Sequence, residues 1–91
     1  MMNLLSDDEL LALMTEEVIQ HEAPIEVVLR PVSAVQLAGL LQLALRHPRI
    51  MENDQSRLFA VTFIEHVRAY FADAPATLEI LRRGDDPRYD V

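Results

Sequence analysis

Ninety-one residues make one domain, and the chain holds no cysteine, which excludes disulfides, thiolate zinc sites and cysteine nucleophiles together. Fifteen acids against eight basic residues give a formal net charge of −7, and every basic residue is arginine. An acidic chain without lysine argues against general nucleic-acid binding and against docking on anionic membranes, since both rely on basic charge. The charge is placed unevenly. Asp7, Asp8, Glu9, Glu16, Glu17, Glu22 and Glu26 precede the first arginine, Arg30, and from there on acids and arginines balance.

The opening apolar residues give way at once to Ser6-Asp7-Asp8-Glu9, with no basic start and no long apolar run. No secretory signal is therefore expected, and no segment is long enough to span a bilayer. A helix is predicted from residue 6 to about 21. Ser6 and Glu9 have capping-box spacing, Leu5 and Leu10 are placed as a hydrophobic staple, and the three acids of the first turn suit the helix dipole. Leu10, Leu11, Met14, Val18 and His21 share one stripe. Leu13 and Ile19 fall outside it, either as ordinary exposed residues or as a widening of the apolar face towards a partner.

Residues 24–32, PIEVVLRPV, change periodicity. Ile25, Val27 and Leu29 alternate with Glu26, Val28 and Arg30 between two prolines, the pattern of an extended or short β segment over 25–31. A lone strand needs partners for its backbone groups. Three arrangements are open: a solvated connector, pairing with residues 88–91, or pairing with its own copy across a two-fold axis. The last sets Glu26 against Arg30 of the second chain when centred on Val28.

The most apolar stretch, SAVQLAGLLQLALRHP, predicts a central helix over about 33–47. Ser33 and Gln36 have capping-box spacing, Val32 and Leu37 staple spacing, and Pro48 ends the run. Apolar residues occupy almost every azimuth, as in a helix buried on several sides. Gly39 is anomalous there, because a helical glycine costs roughly 1 kcal/mol against alanine. With Gln36 and Gln42 it forms a polar-plus-small edge, read as a close approach either to another helix of the same chain or to a second copy.

A short loop over 49–53 leads to a third helix capped by Asn53 or Asp54 and running to about Ala72. Phe59, Phe63, Val67 and Tyr70 lie on its broad apolar face. A fourth helix is predicted from Asp73-Ala74-Pro75, with Arg82 and Arg83 at its C-terminal end and Gly84 as a left-handed terminator. A polar tail occupies about 85–91. The fold class is thus all-α: four helices packed around the central one, with one extended or short β segment.

Chemistry is thinly represented. His21, His47 and His66 lack Glu-x-x-His or His-Glu-x-x-His spacing, so no metal site is expected. Ser6 and Ser33 are accounted for as caps, and two glycines cannot build a phosphate cradle. No catalytic residue and no cofactor is expected. Arg46, His47 and Arg49 form a basic island, either an anion contact or partners for the acidic N-terminal segment. The chain is therefore read as a small cytoplasmic bacterial or phage protein acting as a non-enzymatic interaction module. Its expected partner is a protein, foremost a second copy as a homodimer, with no nucleic acid and no membrane. The interface candidates are Glu26, Val28, Arg30, Gln36, Gly39 and Gln42. The alternative is an acidic regulator whose first helix occupies a basic site on a partner, as a nucleic-acid mimic does.

Overall fold

Proline sets three of the helix starts in the computed structural model, which describes residues 4–89. Pro31, Pro48 and Pro75 each occupy the first helical position of an element. There the missing N–H costs nothing and the fixed φ is already helical. The described residues form five α-helices: α1 (Asp7–Ile19), α2 (Pro31–Ala44), α3 (Pro48–Glu52), α4 (Asp54–Tyr70) and α5 (Pro75–Gly84). A 3-10 turn, Pro87–Tyr89, follows. No helix is long and apolar enough to cross a membrane among these residues.

Two caps form as the sequence predicts. The Ser6 hydroxyl accepts from the Glu9 N–H at 3.2 Å and donates to the Glu9 carboxylate at 3.1 Å. Asn53 Oδ1 accepts from the Ser56 N–H at 2.9 Å and starts α4. The expected cap at Ser33 is corrected. Helix α2 begins two residues earlier, its N-cap Arg30 gives no side-chain hydrogen bond, and Ser33 lies inside the helix. Pro31 is a stronger start signal than a serine two positions on, because it pre-sets the first turn. The predicted loop at 49–53 is mostly helical. His47 Nδ1 accepts from the Arg49 N–H at 3.2 Å and caps α3, so Pro48 starts a helix as well as ending the preceding turn.

The predicted β segment does not form. Residues 24–30 have no regular structure, the N–H groups of residues 25–29 make no hydrogen bond to the folded body, and no strand occurs among the described residues. Proline at both ends biases Ala23 and Arg30 to extended backbone but removes ladder donors. Pairing with the C-terminal end is ruled out at Arg88 and Tyr89, which belong to the 3-10 turn; residues 90 and 91 lie outside the described residues.

The core lies where α2, α4 and α5 meet. Ala38, Ile64, Val67 and Leu81 are buried there, with Ala34, Val35, Leu41, Leu45, Phe63 and Phe71 packed around them. Helix α3 rests on α4. Helix α1 belongs to none of the packed helix pairs, and every described residue from Leu4 to Val32 is exposed. The chain consequently has a radius of gyration of 16.9 Å, against about 12 Å for a compact domain of this length.

Candidate functional site: an apolar arm and a bare groove

Helix α1 and the linker behind it form an arm. Leu10, Leu11, Met14 and Val18 are on one stripe as predicted, each at least half exposed to water. Leu13 and Ile19, off that stripe, are exposed too. Val28 is 97% exposed, and Glu26 and Arg30 beside it are also in solvent. None of the seven N-terminal acids forms an ion pair among the described residues. The expectation that they rest against the basic island is therefore not met within one chain.

The second feature is a groove along α2 and α5. Gln36, Gly39, Leu40, Leu43 and Arg46 of α2 face Ile80 and Gly84 of α5, and the groove continues over Val32 and Val35 towards the start of α2. Leu40, Leu43, Val32 and Ile80 are all more than half exposed. Two leucines of the most apolar helix thus share the bare face with Gln36 and Gly39. A Cβ added at Gly39 would meet nothing within 4 Å, so no neighbouring helix of this chain approaches the glycine, contrary to one of the two arrangements considered for it.

Gln42 lines the same groove but is almost buried. It is 5% exposed, and its Nε2 donates to the Leu81 carbonyl at 2.7 Å and to Asp85 Oδ1 at 2.9 Å. The other oxygen of Asp85 accepts from Arg68, which also pairs with Glu65 at 2.6 Å. One polar network therefore ties α2, α4 and the end of α5. Buried amides of this kind persist because each donor has an acceptor. Asp85 belongs to the stretch expected as a polar tail; the signal available in the sequence is that Gln42 lies one turn after Ala38, on its azimuth.

Close packing against this amide also explains Gly84. The described glycines have no positive φ, so Gly84 is not a left-handed terminator. A Cβ there would stand 2.6 Å from Gln42 Cδ, so the small residue makes room for the amide.

The basic island has local duties. Arg46 donates to the Gly84 carbonyl, satisfying a helix C-terminus, and His47 caps α3. Arg49 uses its N–H in that cap and is exposed. His66 borders a separate small apolar recess with Leu29, Pro31, Ala34, Phe63 and Tyr70. Among the described residues no three His, Asp or Glu side chains come together as metal ligands would.

Electrostatics are concentrated at α5. Glu79 receives Arg82 through two contacts, at 2.7 and 2.9 Å, and Arg83 at 3.1 Å. Hydrogen bonds from Arg82, then from Arg83, hold its carboxyl down to about 2, from an ordinary 4.5. The guanidinium of Arg82 is raised in turn, chiefly by Glu79. A lowered folded-state value means the pairing favours folding fully above about 4.5, and that the gain disappears as pH falls towards 2. Carbon-detected NMR titration is expected to place the Glu79 midpoint near 2, and Glu79→Gln is expected to flatten this part of the acid limb. A Glu79 midpoint at the ordinary carboxylate value would refute the pairing.

No protein-family model, curated protein or solved structure matches the chain.

Proposed function

We propose that the chain is a non-enzymatic interaction module that associates with protein, first of all with its own copies, through apolar surface on the arm and on α2. The reading rests on one observation. The accessible surface is 8019 Å², whereas a compact protein of this mass exposes about 5,400 Å². The difference, about 2,600 Å², exceeds the roughly 800 Å² that each partner buries in a standard interface. Much of it is apolar: Ile19, Ile25, Val27 and Val28 are each at least 70% exposed, in addition to the α1 stripe. Isolated exposed leucines are ordinary on protein surfaces, but a continuous apolar arm is the mark of an interaction surface.

Sedimentation equilibrium at micromolar concentration tests self-association. The expected result is a mass of twice the 10.4 kDa chain. A monomer over the whole concentration range would remove self-association from the proposal.

A second reading is favoured by the seven unpaired N-terminal acids: an acidic arm that occupies a basic site on a partner. The two readings differ in salt dependence. Association through apolar surface is nearly indifferent to salt, whereas charge-driven binding weakens steeply as ionic strength rises.

A further inference from the structure

We infer that the α2–α5 groove is completed by α1 of a second copy, in a reciprocal exchange of arms, and this rests on the self-association reading above. Four observations converge on that occupant. No residue of α1 is buried, α1 belongs to none of the main packed helix pairs, and its stripe of Leu10, Leu11, Met14 and Val18 matches the groove in character. A 13-residue helix is marginal in water on its own even when well capped, so its apolar face calls for a partner.

The groove is open at Gly39. Gly39 forfeits helix stability and gains no contact inside its own chain. A second helix crossing at Gly39 can approach the α2 backbone closely, with Leu40 and Leu43 on its flanks. Small residues at crossing points admit close helix packing in this way.

The linker favours a second chain over the arm's own body. Residues 20–30 contain no glycine and two segments constrained by Pro24 and Pro31. Arg30, before Pro31, is extended, and no described residue up to Val32 is buried on the body, although the chain bends at Ala23. An extended hinge that holds an element away from its own domain is the arrangement from which arm exchange follows.

Charge and area agree with this occupant. The arm brings acids that make no ion pair among the described residues, and Arg49 of α3 is exposed. The surplus surface is of the size that an obligate, intertwined dimer buries, and two exchanged arms would bury both arms and both grooves.

The cysteine-free chain permits a direct test. Met14→Cys and Leu40→Cys are introduced singly into full-length protein, the two preparations are mixed and re-equilibrated, and a short bis-maleimide is added. The double variant is treated in parallel. The expected result is a heterolinked dimer from the mixture and covalent dimer from the double variant. Intramolecularly linked monomer from the double variant would overturn exchange in favour of the arm's own body. Gly39→Leu provides the second measurement. The space around Gly39 is open, so its helical melt is expected to be retained while association weakens by roughly 30-fold, as for loss of a central interface position. A dimer that survives Gly39→Leu and dissociates in Val28→Arg would overturn the inference and indicate strand pairing across a two-fold axis, with self-association intact. A wild-type monomer would overturn both readings.

Discussion

Leu81→Ala is expected to cost about 3–4 kcal/mol and to abolish most of the cooperative unfolding transition of the helical body. Leu81 is 1% exposed and is the largest fully buried side chain. It closes the cluster formed with Ala38, Ile64 and Val67, so one truncation opens a cavity that touches three helices. Deleting a buried leucine side chain removes its transfer free energy and adds a cavity term, together about 2–5 kcal/mol. Small domains have a total stability of the order of 5 kcal/mol, so little remains. The control is Leu40→Ala on α2. Leu40 is 63% exposed, and its truncation is expected to change the stability of the body by less than about 0.5 kcal/mol. Urea denaturation followed by far-ultraviolet circular dichroism, at a protein concentration low enough for the chain to be monomeric, distinguishes the two. Equal effects would show that Leu40 is packed as fully as Leu81.

The second large effect concerns Gln42 and Gly84, and it is a coupling. Gly84→Ala places a methyl group 2.6 Å from the Gln42 side-chain carbon, which requires the amide to move off the Leu81 carbonyl and Asp85. Overpacking of this kind costs about 1–3 kcal/mol. Gln42→Ala alone leaves the Leu81 carbonyl without its donor and opens a void, for about 2 kcal/mol. The double variant removes both the obstacle and the bond. Its cost is expected to fall short of the sum of the single costs by about 1 kcal/mol or more, since residues in contact do not act additively. Strict additivity in the double-mutant cycle would show that the two do not touch. Gly39→Ala offers the contrast within the same chain. Without neighbours to displace, it is expected to raise the stability of the body by up to about 1 kcal/mol.

The two glycines show where local reasoning reaches its limit. Gly39 stands out as an anomaly because a helical glycine has a known cost, and it lines an open groove with no atom of its own chain near an added Cβ. Gly84 looks like an ordinary terminator because it follows two arginines at a helix end, yet its backbone is helical and its size serves the Gln42 contact. Spacing along the chain cannot distinguish these cases, since both depend on what stands across from the glycine.

The arm was partly legible. The stripe on α1, its cap and its acidity follow from residue order alone. That no residue of the arm is buried does not. An amphipathic helix in a short chain is by default folded onto the core, and only the placement of Leu10, Met14 and Val18 in solvent shows otherwise. The alternation in 25–31 was real but misleading as to structure, because β-branched residues form a strand only where another strand supplies hydrogen bonds.

By itself the sequence determined an all-helical chain, the starts of α1 and α4, and the amphipathic face of α4. These are set by caps and by periodicity, which act within a few residues. Tertiary structure alone decided which side of α2 is inside. That helix is apolar almost all round, so periodicity names no face. Ala38 and Gln42 turn inward because a small side chain allows α4 and α5 to come close, and because the amide finds the Leu81 carbonyl and Asp85 there. Leu40 and Leu43 are left facing water, and the groove between them and α5 exists for that reason.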